Sequence, residues 1–186
     1  MIEVRFHGRG GQGAVTSAEL VALAAIAEGK YAQAFPSFGP ERRGAPVQAF
    51  VRISDEPIRI RAEIHKPDAV VVLDPGLLRI VNVTSGLKEN GTAIINTKRS
   101  AVDIKSEFGI EQRLATVDAT TIARDTLGVP ITNTTMVGAL VKATELVKLD
   151  SMIEPLRHRF DRLAERNIKA MKSAYEQTLI KEQLIA

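Results

Sequence analysis

The start of the chain changes from an alternating apolar pattern to a helical one. Ile2, Val4 and Phe6 alternate with polar residues, which is typical of a β-strand with one buried face. Over 14–27 the apolar residues recur at helical spacing, and Glu28-Gly29 is a typical helix end. The residues that we expect on the buried stripe of this helix are Leu20, Leu23, Ala24 and Ala27. The pattern therefore predicts a strand, a tight turn and a helix.

Strand patterns recur along the chain. Further strands are predicted at 31–35, 47–53, 58–61, 69–73, 92–96 and 114–117. Across the turn Asp55-Glu56-Pro57, the segment 58–61 is predicted to be the hairpin partner of 47–53. The run 69–73 is continuously apolar, as in a parallel strand that is buried on both faces.

Helical patterns alternate with these strands. Helices are predicted at 118–127, from Asn133, from Ser151 and in a long terminal segment. The inward residues of the helix that starts at Asn133 are predicted to be Met136, Leu140, Ala143 and Val147. Those of the terminal helix are predicted to be Ile168, Met171, Tyr175 and Leu179. Together these elements predict one domain, 1–186, with a three-layer α/β/α fold and a mixed, mostly parallel sheet.

Composition excludes several kinds of site. The chain has no cysteine, which excludes disulfides and iron–sulfur clusters held by this chain, and its three histidines lie far apart. Aromatic residues make up 4%, too few for stacking on nucleic-acid bases. The net charge of +3 favours an anionic ligand or an acidic partner. With neither a signal peptide nor a long apolar run, we expect a cytoplasmic protein without a membrane span.

A glycine-rich turn follows the first strand, at Gly8-Arg9-Gly10-Gly11-Gln12-Gly13. Glycines let the backbone approach an anion closely, and a helix N-terminus offers free N–H groups and partial positive charge. Arg9 adds a fork-shaped donor that suits phosphate. No Gly-Lys-Ser/Thr follows, so the turn is not a Walker loop. Residues 30–35 lack the acid that a dinucleotide-binding fold needs, which weakens the interpretation as an NAD site. A tight turn without a ligand is the alternative.

A second loop, 36–46, contains three prolines, two glycines and the pair Arg42-Arg43. One interpretation is a solvated turn in which Glu41 pairs with an arginine. The other is an arginine pair that faces the glycine turn and binds the same anion. On the hairpin, Arg52, Arg59 and Arg61 are expected to form a solvated face, with a docking surface for an acidic partner as the alternative.

Three polar residues have ordinary structural explanations. Asp74 follows the buried strand and is expected to cap a helix that starts at Pro75. Asn133 lies among residues that are good N-caps, and Asn167 is expected to be an ordinary polar helix residue. The sequence contains no recognisable catalytic triad or paired acid and base.

Three segments together resemble the gamma subunit of 2-oxoacid:ferredoxin oxidoreductases. They are Phe6 to Gly13, Ser37 to Pro46 and Asp68 to Asp74, and the likeness covers essentially the whole chain. The form Glu-Arg-Arg-Gly-Ala-Pro at 41–46 is similar to the pyruvate-type enzymes, while relatives that act on 2-oxoglutarate or indolepyruvate differ within this loop.

The resemblance implies a complex of alpha, beta, gamma and delta chains. Such complexes use thiamine diphosphate with magnesium to decarboxylate the 2-oxoacid, pass electrons through iron–sulfur clusters to ferredoxin, and transfer the acyl group to coenzyme A. It implies that the thiamine, magnesium and clusters lie in partner subunits, and that this chain is a non-catalytic subunit that helps to bind coenzyme A.

For coenzyme A the resemblance implies specific residues. They are Gly11, Gln12, Gly13, Ala14 and Val15 of the glycine loop, with Arg42, Asn133 and Asn167. Together with the residue-based candidates Gly8, Arg9, Gly10 and Arg43, they form the predicted site. The Asn167 assignment conflicts with the expectation from the residues alone.

Other function classes remain open at this stage. The chain could be a purely structural assembly subunit whose loops contact neighbouring chains, because basic loops also dock on acidic surfaces. More distant alternatives are an NAD(P)-binding protein and a free-standing nucleotide-binding regulator.

Overall fold

A computed structural model describes residues 1–37 and 43–182, and these form one seven-stranded sheet between two layers of helix and loop. The strands are β1 Ile2–Arg9, β2 Tyr31–Pro36, β3 Pro46–Ser54, β4 Ala69–Val72, β5 Thr92–Asn96, β6 Arg113–Val117 and β7 Leu179–Lys181. The helices are α1 Ala14–Ala27, α2 Ala101–Phe108, α3 Ala119–Leu127, α4 Asn133–Thr144, α5 Ile153–Phe160 and α6 Ala164–Gln177, with short 3-10 helices at Pro75–Arg79, Leu149–Met152 and Asp161–Leu163.

The sheet is parallel in its middle and antiparallel at both edges. Its strand order is β2-β3-β1-β4-β5-β6-β7. Strands β1, β4, β5 and β6 run parallel, while β3 is antiparallel to both β1 and β2, and β7 is antiparallel to β6. The predicted three-layer α/β/α fold with a mixed sheet is confirmed. The carboxyl ends of the four parallel strands form one edge, which is where open α/β sheets bind ligands.

Successive side chains of the parallel strands point to opposite faces of the sheet, so they pack into two separate hydrophobic cores. In β4, Val71 packs under α1, α4 and α6, whereas Val70 and Val72 pack under α2 and the first 3-10 helix. All three side chains are fully buried, as the continuous apolar run predicts.

The predicted hairpin between 47–53 and 58–61 is wrong. Strand β3 already has β1 on one side and β2 on the other, so no edge of it is free for another strand. The segment after β3 instead crosses the face of the sheet opposite α1. There the Ile58 carbonyl accepts a hydrogen bond from Gln33 Nε2 at 3.1 Å, and the Ile60 carbonyl accepts one from Arg52 Nη1 at 3.4 Å.

The prediction that Arg52, Arg59 and Arg61 share one exposed hairpin surface is wrong, because this hairpin does not form. Arg52 is buried and pairs with Glu3, with Nε 2.6 Å from Oε1, and its guanidinium lies over the Phe35 ring. Arg59 and Arg61 lie in the crossing segment and are exposed.

Two predicted helix stripes need correction. In α1, Leu20 and Ala24 are buried, but Leu23 and Ala27 are exposed together with Ile26, because the buried face is centred on Val21 and Ala25. The predicted end of this helix, at Glu28-Gly29, is confirmed. In the terminal segment, Ile168 and Met171 are buried as predicted and Tyr175 is partly buried.

Leu179 does not belong to the terminal helix. Helix α6 ends at Gln177, and Leu179 begins the antiparallel edge strand β7, where its side chain is largely exposed. The inward residues predicted for α4, and Val147 beyond its end, are all buried.

Candidate functional site

The glycine loop joins the carboxyl end of β1 to the N-terminus of α1. Gly13 is the N-cap of α1 with φ +81°, a left-handed conformation that favours glycine, and no side chain caps this end of the helix. Gly11 is also left-handed, with φ +92°. The first N–H groups of a helix have no intrahelical partner, so this end carries free donors and partial positive charge. The loop therefore has the features that bind an anion.

Residues 43–45 of the second loop lie directly against the glycine loop. Gly10 and Arg43 form a parallel bridge, in which the Gly10 N–H donates to the Ala45 carbonyl at 2.9 Å and the Gly44 N–H donates to the Gly10 carbonyl at 3.2 Å. The main chain of 43–45 therefore contacts the glycine loop, while the binding of an anion by Arg42 and Arg43 stays a prediction. Arg42 lies outside the described residues.

Arg9 and Gln12 tie the glycine loop to the end of β4. Arg9 Nε lies 2.8 Å from Asp74 Oδ2, and Gln12 Nε2 donates to the same oxygen at 3.1 Å. Gln12 Oε1 also accepts the Arg9 main-chain N–H at 2.7 Å, while Arg9 Nη1 donates to the Gly44 carbonyl at 3.2 Å. The side chains of the loop thus contact both neighbouring segments.

Asp74 is the cap that the sequence predicts, and it is also the centre of this network. Its Oδ1 accepts the Gly76 N–H at 2.8 Å at the start of the 3-10 helix. Burial alone would raise the pKa of the Asp74 carboxyl, but hydrogen bonds from Arg9, Gly76 and Gln12 outweigh it and hold the pKa below its usual range. The sequence pattern did not predict that Asp74 pairs with Arg9, although both residues lie at the carboxyl ends of strands.

The N-terminus of α4 lies beside that of α1. The Asn133 amide packs so closely on Gly13 that a Cβ added at Gly13 would lie 2.6 Å from Asn133 Nδ2. Ser17 Oγ donates to the Gly13 carbonyl at 3.1 Å and to the Asn133 carbonyl at 3.2 Å. The Thr132 side chain, at the N-cap of α4, makes no cap bond, but Asn133 Oδ1 accepts the Thr134 N–H at 2.9 Å. Two helix N-termini therefore converge at the glycine loop, and Ser17, which connects them, was missed because a serine inside a helix carries no distinguishing signal.

Asn167 is one step further from the loop. Its Oδ1 accepts a hydrogen bond from Thr134 Oγ1 at 2.8 Å, and its Nδ2 donates to the Leu163 carbonyl at 2.9 Å. It is buried, so it is a packed residue that holds α6 against the first turn of α4. Its contact with a ligand stays a prediction.

Beneath the loop, on the other face of β1, lies a buried basic pair. Arg5 Nε donates to His7 Nε2 at 2.9 Å, and Arg5 Nη2 donates to the carbonyls of Val83 and Ser85. Desolvation and then the charge of Arg5 lower the pKa of His7 to about 3, against a hydrogen bond with the Val83 carbonyl. His7 is therefore neutral at physiological pH and acts in packing.

The rest of the described chain offers no metal centre. Over 1–37 and 43–182, no group of three or more His, Asp or Glu side chains could hold a metal ion. None of the described helices is long and apolar enough to cross a bilayer. An open cavity of about 740 Å³ lies at the opposite edge of the sheet, between Met1 and the segment 54–60, and contains none of the predicted site residues.

Comparisons with known proteins agree with this picture. Residues 3–177 match the family described as pyruvate ferredoxin/flavodoxin oxidoreductase. The pyruvate/ketoisovalerate oxidoreductases common subunit gamma of Pyrococcus abyssi is 56% identical over 184 residues, which cover 98% of this chain and 100% of that protein. The pyruvate synthase subunit PorC of Methanothermobacter marburgensis is 54% identical over 95% of this chain and 97% of that protein.

A solved structure supports the fold independently. The crystal structure of pyruvate oxidoreductase subunit PORC from Thermotoga maritima superposes with a TM-score of 0.87 at 37% identity, covering 97% of this chain and 98% of that one. The structural similarity therefore covers nearly all of both chains.

Proposed function

Because the chain belongs to the pyruvate ferredoxin/flavodoxin oxidoreductase family, as one of its gamma subunits, we propose that it binds part of coenzyme A for a 2-oxoacid:ferredoxin oxidoreductase complex. Within that complex, pyruvate loses CO2, its electrons reduce ferredoxin and the acyl group passes to the thiol of coenzyme A. The alpha, beta and delta partners hold thiamine diphosphate, magnesium and the iron–sulfur clusters. The relatives' names also make ketoisovalerate a candidate substrate of the complex.

One observation carries the proposal: the uncapped N-terminus of α1 and the N-terminus of α4 meet at a glycine loop, which residues 43–45 of a second, arginine-bearing loop contact. The nucleotide end of coenzyme A carries a diphosphate and a 3′-phosphate. Free N–H groups and helix dipoles stabilise such charges without any change in protonation. We assign the diphosphate to the N–H groups of Gly11, Gly13, Ala14 and Val15, because the Gln12 N–H already donates to the Arg9 carbonyl at 2.9 Å.

The arginines supply the remaining charge. Arg43, next to Gly10, and Arg42, which precedes it in the chain, would grip the phosphates with forked donors. Asn133, against Gly13, would orient an amide or the adenine, and Asn167 would support Asn133 through Thr134. The chain then acts by positioning, which lowers a barrier without an acid or base of its own.

The test uses arginine variants in the assembled complex. Arg42→Ala and Arg43→Ala should each raise the KM for coenzyme A roughly tenfold, the size expected for a lost charge-assisted hydrogen bond. The KM for pyruvate and the content of thiamine diphosphate should not change. Arg59→Ala is the matched control, because Arg59 is exposed and lies in the crossing segment outside the site. Unchanged coenzyme A kinetics in both variants would contradict the proposal.

A specific observation favours a second role in assembly. Helix α1 exposes Leu23 and Ile26, two large apolar side chains one turn apart. We propose that this stripe contacts a neighbouring subunit. Leu23→Lys should then weaken recovery of the gamma chain with its partners in a pull-down, and full recovery would remove the stripe from the interface.

A further inference from the structure

The Asp74 carboxylate accepts three hydrogen bonds, and two of them come from the glycine loop. Arg9 Nε and Gln12 Nε2 share Oδ2, at 2.8 and 3.1 Å, while the Gly76 N–H binds Oδ1. Such a set of donors satisfies a carboxylate almost completely. The Asp74 carboxylate therefore interacts mainly with side chains of the glycine loop.

The guanidinium of Arg9 reaches in two directions. Besides Asp74, it donates from Nη1 to the carbonyl of Gly44 in the second loop. At the same point the main chains of Gly10, Gly44 and Ala45 are hydrogen-bonded. One side chain thus connects the end of β4, the glycine loop and the second loop.

We propose that Arg9 and Asp74 are positioning residues for the coenzyme A site, a proposal that rests on the function proposed above. The Arg9–Asp74 pair holds the second loop against the glycine loop, so that Arg43 faces the phosphates. Arg9 then acts through the second loop, with two of its three nitrogens engaged by protein acceptors. This differs from the direct contact with an anion that the sequence predicts for Arg9.

The two roles predict opposite effects of removing the Asp74 charge. If Arg9 bound the anion directly, Asp74 would compete for the guanidinium and repel the phosphates, so Asp74→Asn would tighten binding of coenzyme A. If the pair positions the second loop, Asp74→Asn loosens that loop and weakens binding. Asparagine keeps an oxygen acceptor for the Gly76 N–H, so the cap of the 3-10 helix is retained.

The experiment measures loop opening and coenzyme A kinetics separately. Hydrogen exchange of the full chain without ligand, followed on peptides that cover 8–13 and 43–46, should be roughly tenfold faster in Asp74→Asn and in Arg9→Gln. In the assembled complex, the same variants should raise the KM for coenzyme A roughly tenfold with little change in kcat. The double variant should be no worse than either single one.

Asp68→Asn is the matched control. Asp68 lies just before the other end of β4, pairs with Lys88 and is similarly exposed, so the substitution changes the charge equally, far from the loops. Neither the hydrogen exchange of the two peptides nor the KM for coenzyme A should change in this variant.

Each outcome discriminates between the hypotheses. Unchanged exchange at both peptides would overturn the positioning role, whatever the kinetics. A lower KM in Asp74→Asn with a higher KM in Arg9→Gln would also overturn it, in favour of direct binding by Arg9. Faster exchange with unchanged KM values would overturn the role of the Arg9–Asp74 pair at a coenzyme A site. The proposed function fails as well if Arg42→Ala and Arg43→Ala also leave the KM for coenzyme A unchanged, and it stands if they raise this KM.

Discussion

The two ends of strand β1 carry the same ion-pair chemistry in different surroundings. At the start of the strand, Arg52 Nε lies 2.6 Å from Glu3 Oε1, and at its end Arg9 Nε lies 2.8 Å from Asp74 Oδ2. The Arg52 side chain is 2% exposed, whereas that of Arg9 is 33% exposed. The first pair is sealed under the crossing segment, and the second borders the open glycine loop. Because the two distances are similar and the exposures differ, we expect the buried pair to serve stability and the exposed pair to be available to function.

The largest expected effect is a difference in unfolding free energy between variants that break the two ion pairs. Arg52→Ala leaves Glu3 without its partner under a covered face, and breaking a buried pair in this way costs about 3 kcal/mol. Arg9→Ala should cost only about 1 kcal/mol, because water screens the half-exposed pair. Urea unfolding of the full chain measures both values. Arg59→Ala, an exposed arginine in the crossing segment, is the control, and equal losses for Arg52 and Arg9 would refute the comparison.

The next largest expected effect is on the pH dependence of stability, and it comes from His7 in strand β1. The pKa of His7 is about 3 in the folded chain, against an ordinary value of 6.5, so the unfolded chain takes up the proton first. The stabilisation due to neutral His7 is complete above pH 6.5 and declines as the pH falls from 6.5 towards 3. The slope is about 1.4 kcal/mol per pH unit.

The variant His7→Gln isolates this contribution. Glutamine can still accept the hydrogen bond from Arg5, and His65 and His158 are the same in both proteins. Unfolding free energies between pH 7 and pH 4.5 should therefore depend less steeply on pH in the variant. Parallel pH curves for the two proteins would show that His7 does not titrate as the structure implies.

The smallest expected effect concerns the glycine loop itself. Gly13→Ala forces a left-handed alanine and pushes its Cβ against the Asn133 side chain, whereas a Cβ at left-handed Gly11 meets nothing within 4 Å. Both variants should lose about 1 kcal/mol from backbone strain. Gly13→Ala should lose roughly a further 1 kcal/mol because Asn133 must move. Equal unfolding free energies for the two variants would mean that Asn133 does not pack on Gly13.

Local patterns predicted most of the fold because strands β1, β4, β5 and β6 are each defined by their own residues. The hairpin at 58–61 failed because alternation shows that a segment can pair, and not which neighbour is free to pair with it. Strand β7 was missed because three residues at an edge are held by β6 and not by their own pattern. Helix α1 was placed correctly, but its buried face depends on what packs around it.

Only the parts of the site that depend on residues close together in the sequence were predictable. The glycine turn and the cap at Asp74 follow from residue types in short sequence order. The contact between Asn133 and Gly13, and the pairing of Arg9 with Asp74, depend on which strand ends and helices meet in three dimensions. Asn133 entered the predicted site through resemblance to a family, and the bonds of Asp74 to Arg9 and Gln12 are visible only in the folded structure.

The direction of the outer strands has a practical consequence. Ile2 opens β1, and Lys181 in antiparallel β7 pairs with Leu114 near the start of β6, so both lie towards the margin of the sheet remote from the glycine loop. A label attached to the side chain at position 2 or 181 would therefore lie far from the loop. Immobilisation on a sensor surface through either of these positions would thus leave the candidate binding edge facing the solution.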